Sequence, residues 1–191
     1  MPSPVKLIVL DRDGTLNEHP EDFIRSPGDW VPLPGALEAV ARLNQGGWRV
    51  VLASNRSGLA RGLYDVATLH AVHARMHRLL AQAGARIEAV FFCPHAPEEL
   101  CDCRKPLPGL FLQIAQRMAV PAHRIVAAGD SVIDVQAAAA AGCESHLILT
   151  GQSLHHRDGS RPVGLPERTA IHLDLSAFAD FVLARDALKA P

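Results

Sequence analysis

The chain has 191 residues, 48% of them hydrophobic, and a formal net charge of −1 from 19 basic and 20 acidic side chains. That length suits a single domain over 1–191 with a sizeable core. The balanced charge, with no long basic run or basic–aromatic stripe, argues against nucleic acid as a partner, and no apolar stretch is long enough to cross a bilayer.

Met1-Pro2-Ser3-Pro4-Val5-Lys6 lacks a signal-peptide pattern, so a cytoplasmic location is expected. The apolar run Val5–Leu10 reads as a buried parallel strand. It ends in Asp11-Arg12-Asp13-Gly14-Thr15. Two carboxylates two apart at such a strand end face the crevice where open α/β sheets bind ligands. An ordinary polar turn is the bland alternative. Asn17–Leu33 is polar and Pro-rich, contains Trp30, and reads as a flap over 17–33. Pro34–Leu43 carries Leu37, Val40 and Leu43 on one helical face. Val50–Ala53 reads as the second strand and runs into Ser54-Asn55-Arg56-Ser57-Gly58. A hydroxyl and turn N–H groups there can hold phosphate oxygens, although Ser54 alone reads more simply as a turn or capping residue.

Val66–Ala83 repeats apolar residues at helical spacing, with His70, His73 and His77 beside the stripe. Ile87–Phe92 is a third strand. Cys93–Pro108 is rich in Cys and Pro and reads as a metal-held loop over 93–108. A helix at Leu110–Met118 precedes a strand at Arg124–Ala128, and Gly129-Asp130 ends that strand. Ile133–Ala141 is helical, with Asp134 in its favourable first turn. His146–Leu149 is a further strand, Gly151–Arg168 reads as a mobile loop, and Ala170–Leu173 is a short apolar piece. A last helix lies near Ser176–Leu188, with Ser176 as N-cap. Strand–helix alternation predicts an α/β fold: a Rossmann-like, doubly wound parallel sheet with helices on both faces and no large cap domain.

Two metal sets stand out. Cys93, His95, Cys101 and Cys103 offer three sulfurs and one imidazole, a closed tetrahedral set for structural Zn²⁺. A disulfide or free buried thiols are the alternatives, but His95 at this spacing would be idle in a disulfide loop. Asp11 and Asp130, on strand ends of one parallel sheet, can converge on a hard cation such as Mg²⁺. Lys105, just before Pro106-Leu107-Pro108-Gly109, is placed to stabilise phosphoryl charge if it is not simply a solvated lysine.

Together Asp11-x-Asp13-Gly-Thr, Ser54-Asn55, Lys105 and Gly129-Asp130-x3-Asp134 resemble the four motifs of the haloacid dehalogenase superfamily, over nearly all of residues 5–150. Within it, the Cys-x-His…Cys-x-Cys-Arg-Lys-Pro loop resembles those of heptose-bisphosphate phosphatases and histidinol-phosphate phosphatases. Ser57-Gly58-Leu59-Ala60-Arg61-Gly62 and Lys105–Gly109 fit the heptose branch. The resemblance implies a Mg²⁺-dependent phosphatase that removes the C7 phosphate of a heptose 1,7-bisphosphate, in lipopolysaccharide precursor synthesis, with histidinol phosphate as the second reading. A zinc-stabilised binding protein without turnover is a third. It implies Asp11 as nucleophile and Asp13 as acid and base, with Mg²⁺ held by Asp11, the Asp13 carbonyl and Asp130. Ser54, Asn55, Arg56, Ser57, Arg104 and Lys105 would bind phosphate or substrate, and Asp134 would support them. The partner would be a small phosphosugar and the active unit a monomer. The chain departs from the family at Arg56, where a neutral Gln is usual, at Ser131, where some members carry Lys, and at His19, where relatives often have Asp.

Overall fold

A computed structural model describes residues 5–19 and 23–188. Pro20, Glu21 and Asp22 of the expected flap lie outside them, as do Met1–Pro4 of the stretch read for a signal-peptide pattern.

In chain order the elements are β1 (Lys6–Leu10), α1 (Ala36–Gln45), β2 (Trp48–Asn55), α2 (Ser57–Ala60), α3 (Val66–Gln82) and β3 (Ala89–Cys93). They continue with α4 (Gly109–Met118), β4 (Ile125–Gly129), α5 (Val132–Ala140), β5 (Glu144–Ile148), β6 (Ala170–His172) and α6 (Leu175–Ala187). The six strands pair in parallel in the order β3-β2-β1-β4-β5-β6. This is the doubly wound architecture expected from the alternation of elements.

The alternation of β1 shows why both faces are covered. Ile8 and Leu10 join a core with α1, α3 and α6, where Val40, Met76 and Phe178 are buried. Leu7 and Val9 face the other way, against Leu110 and Ile114 of α4 and Ala137 and Ala138 of α5. Each fully buried leucine contributes about 1.5–3 kcal/mol. A strand buried on both faces therefore has little freedom to slip in register. Leu10 lies opposite Leu52 of β2 and Ala128 of β4. The chain changes direction of winding between β1 and β4, and their carboxyl ends open the crevice at that switch point.

The described ends of the 17–33 segment are tied together. Glu18 N–H donates to Val31 O at 2.9 Å and Leu33 N–H to Leu16 O at 3.0 Å. Trp30 is fully buried, and its carbonyl accepts from Arg75 Nε on α3 at 3.3 Å.

Three local expectations change. Gly151–Asp158, read as mobile, forms a 3-10 run. Gly and His signalled a loop, but that segment leaves β5 directly over the crevice and finds partners there. The N-cap of α6 is Asp174, whose carboxylate accepts from Ala177 N–H at 2.8 Å, not Ser176. Ser176 instead accepts from Arg42 Nη2 at 3.2 Å. Ser57–Ala60 forms the short helix α2, too brief to show a period in the sequence.

Candidate active site

Asp11 continues the β1 ladder, its N–H donating to Ala128 O at 2.9 Å. The chain then turns sharply through Gly14 at φ 83, closed by Gly14 N–H to Asn17 O at 2.7 Å. A glycine is required there for more than its φ. A Cβ on Gly14 would sit 2.2 Å from Asp130 Oδ2. The turn brings Asp11 and Asp13 into one cavity of about 120 Å³ with Asn55, Arg56, Asp130 and Asp134.

Lys105 is the cation of this crevice. Its Nζ lies 2.8 Å from Asp11 Oδ1 and 2.7 Å from Asp134 Oδ1. The lysine is buried and follows the backbone into a cis Lys105–Pro106 peptide. Burial opposes its charge, but Asp11 and Asp134 outweigh that and hold its pKa above the ordinary value. Asp11 is pushed up to about 6, because burial and the neighbouring Asp134 outweigh the pull of Lys105. Asp134 is further held by Ser131, whose Oγ donates at 2.6 Å and N–H at 3.1 Å.

Asp13 lies in opposite surroundings. Arg12 forks onto it, Nε to Oδ1 at 2.8 Å and Nη2 to Oδ2 at 3.1 Å. Arg56 Nη1 donates to Oδ2 at 2.7 Å and Asn17 Nδ2 to Oδ1 at 3.0 Å. Burial alone would raise Asp13, yet the two guanidiniums hold it well below the usual carboxylate range. Two acids two residues apart are thus driven in opposite directions.

Asp130 completes the acidic set. Its carboxylate accepts from Gln152 N–H at 2.8 Å and Thr15 Oγ1 at 3.4 Å, and Gly151 packs so closely that a Cβ there would lie 2.1 Å from Asp130 Oδ2. Burial first, then Asp134 and Asp11, raise its pKa well above normal. Carboxylate oxygens of Asp11, Asp130 and Asp134 lie within 4.8 Å of one another. Lys105 serves only Asp11 and Asp134, so the charge at Asp130 has no cationic partner among the described residues. A hard divalent cation fits that deficit.

Cys93, His95, Cys101 and Cys103 bring their ligand atoms within 4.8 Å of one another. Cys93 Sγ lies 3.2 Å from Cys103 Sγ, 3.6 Å from Cys101 Sγ and 3.5 Å from His95 Nδ1. All four cysteines of the chain are free thiols, so no disulfide competes. Burial pushes the Cys103 thiol up to about 12 and raises Cys93. Tetrahedral zinc with sulfur bonds of about 2.3 Å sets ligand atoms about 3.8 Å apart, close to this arrangement, and its charge favours the thiolates that burial disfavours.

The other expected residues take varied places. Ser54 is buried at the end of β2, and its Oγ has no hydrogen-bond partner, an orphan that suits a phosphate oxygen. Asn55 lines the cavity but also clasps the backbone of Lys105. Ser57 opens α2 and does not line the cavity. Arg104 Nη1 donates to His95 O at 3.2 Å and borders a separate hollow with Leu100 and Leu107. The sequence reading passed over Arg12, Thr15, Asn17 and Gln152. Arg12 and Thr15 sat within the quoted motif, and Gln152 follows a strand end, the position that had marked Asp11 and Asp130.

A family model described as haloacid dehalogenase-like hydrolase matches residues 16–142. The chain belongs to the haloacid dehalogenase-like hydrolases. Within that group it is 51% identical over 179 residues to a D-glycero-beta-D-manno-heptose-1,7-bisphosphate 7-phosphatase of Bordetella bronchiseptica, spanning 94% of this chain and 98% of that one. A protein of the same name from Pseudomonas aeruginosa is 44% identical, spanning 93% and 97%. A crystal structure of the D,D-heptose 1,7-bisphosphate phosphatase of B. bronchiseptica, complexed with magnesium and phosphate, superposes with a TM-score of 0.89 at 50% identity over 95% of this chain and 99% of that one. Among the described residues, no helix is long and apolar enough to cross a membrane.

Proposed function

We propose that the chain hydrolyses the C7 phosphate of D-glycero-D-manno-heptose 1,7-bisphosphate, as a single-domain cytoplasmic enzyme whose site is complete within one chain. One observation carries the chemistry. Asp11 and Asp13 share a cavity, one acid facing an ammonium and the other held by guanidiniums. The relatives' names carry the substrate.

Asp11 is the nucleophile. Lys105 fixes Oδ1, and Asp11 forms a bond to phosphorus as the bond from phosphorus to the sugar oxygen breaks. Asp13, ionised while both guanidiniums hold it, must first take up a proton from solvent as substrate fills the cavity, and it delivers that proton to the sugar oxygen. It then takes one from the water that attacks phosphorus, which releases phosphate and restores Asp11. Ser54 Oγ and Lys105 Nζ meet the phosphoryl oxygens, with Asn55 keeping Lys105 in place. Asp11, the Asp13 carbonyl and Asp130 would hold Mg²⁺, which neutralises phosphoryl charge when bound. Ser57 and Arg104 would frame the sugar and its remote phosphate. The Cys93, His95, Cys101, Cys103 set would hold Zn²⁺ and so fix the loop that delivers Lys105 two residues later. Free thiols accord with a reducing compartment.

The test is phosphate release from heptose 1,7-bisphosphate and from histidinol phosphate at matched Mg²⁺. We expect a much higher kcat/KM for the bisphosphate. Equal or reversed preference moves the chain to the histidinol branch, and no turnover of either supports the non-catalytic reading.

A further inference from the structure

Asp13 accepts four hydrogen bonds from three side chains: two from Arg12, one from Asn17 and one from Arg56. A carboxylate has about four lone-pair sites, so none is left for a substrate oxygen. One bond must open before Asp13 can serve a leaving group. Arg12 and Asn17 are buried and do not line the cavity, whereas Arg56 lines it together with Asp11 and Asp13. The Arg56 bond is therefore the one that an incoming group can reach.

Arg56 also has capacity in reserve. Its Nε and Nη2 are buried without partners, and the nearby Ser54 Oγ is likewise unpartnered. The cavity is about 120 Å³ and contains the nucleophile, so the group that fills it is the transferring phosphoryl group. Two guanidiniums on one carboxylate leave local positive charge at Asp13, on the side of the cavity away from Asp130, and a phosphoryl oxygen is the complement to it.

We propose that Arg56 is a substrate-operated latch: at rest it occupies Asp13, and a phosphoryl group entering the cavity draws it away, freeing one Asp13 oxygen for the leaving group. The idea rests on the phosphatase reading of this site, not on the identity of the sugar. It makes Arg56 a positioning residue for Asp13 and a ligand of the phosphoryl group in turn. Position 56 thereby couples loading of the site to the availability of its acid.

Two measurements test it. The first is a crystal structure of the whole protein with Mg²⁺ and inorganic phosphate. Arg56 should lie within hydrogen-bond distance of a phosphate oxygen and off Asp13; Arg56 still on Asp13 with phosphate bound overturns the latch. This arm needs no turnover, so it stands even if the substrate reading fails. The second compares wild type with Arg56→Gln and Arg56→Lys on p-nitrophenyl phosphate, whose leaving group needs no proton, and on an alkyl phosphate, whose leaving group does. Arg56→Gln should raise KM for both esters, and the inhibition constant of inorganic phosphate, by about tenfold, the scale of one charge-assisted hydrogen bond. Arg56→Lys should recover part of that loss. A fall confined to the alkyl ester with KM unmoved would show that Arg56 holds Asp13 throughout the cycle, and it overturns the proposal. Unchanged phosphate inhibition overturns it as well.

Discussion

Asn55 grips the backbone of Lys105 in both directions. Its Nδ2 donates to Lys105 O at 3.2 Å and its Oδ1 accepts from Lys105 N–H at 3.1 Å. The end of β2 and the loop after the cysteine cluster are thus joined through one amide. Lys105 reaches Asp11 from a backbone held at that point.

Asn55→Ala removes both bonds. A net loss of about 1–3 kcal/mol is expected from two partly buried hydrogen bonds. Lys105 then loses its fixed approach, so kcat should fall by more than KM rises. Chemical denaturation and steady-state kinetics check this; unaltered kcat with normal stability would show that the prolines alone hold Lys105.

Asp11→Asn should abolish phosphate release while leaving the circular dichroism spectrum unchanged, because the amide is isosteric. Asp13→Asn should cost about 100- to 10,000-fold, the usual scale of general acid–base help. Near wild-type rates in either variant would remove the aspartyl-phosphate route.

Elemental analysis of the purified protein should find one tightly held Zn²⁺ per chain. Cys101→Ser should lose it, lower the melting temperature and reduce activity, since the loop between Cys93 and Lys105 then loses the ion that would cross-link its two ends. Full activity in metal-free, reduced wild type would show that zinc has no part in placing Lys105.

Away from the site, His146 Nδ1 and His172 Nε2 lie 2.9 Å apart beneath Phe178, and His146 Nε2 meets Glu144 at 2.9 Å. The carboxylate must receive a proton from Nε2, so a neutral His146 accepts at Nδ1 and His172 donates. Burial, then His146, lowers the His172 pKa to about 4. Between the ordinary pKa of about 6.5 and that value, the unfolded chain binds a proton that the folded chain refuses, so folding stability falls as pH drops through this window. His172→Gln should flatten that fall by about 1 kcal/mol per pH unit in urea titrations at pH 6.5 and 5.5. An identical slope in the variant would dismiss the histidine pair as the cause.

The strands and long helices were legible because β1, β4 and α3 carry unbroken or periodic apolar residues. The acids were legible because parallel strands end on one edge of the sheet, and motif order supplied Lys105. Partnerships were less visible. Arg56 reads in the sequence as a substrate ligand, and nothing there shows that it is buried on Asp13. Asn55 read as a phosphate ligand, yet it clasps a backbone 50 residues away. Both contacts depend on β2 and its neighbours meeting in space, which no local pattern encodes. The contact between Gln152 and Asp130 was hidden for the same reason, since nothing in the composition of the Gly151 segment names its partner.

Asp130 sits between Gly14 on one loop and Gly151 on another, and a Cβ on Gly151 would also come within 2.7 Å of Gly14 Cα. A longer acid cannot keep its carboxylate in this seat between the two glycines, so Asp130→Glu would carry the charge out into the cavity or push the loops apart. Neither glycine can gain a side chain while the aspartate stays. The three positions form a unit that single substitutions cannot leave, and a lineage exploring new substrates would have to vary the flap, Arg56 or the cysteine loop around a fixed centre.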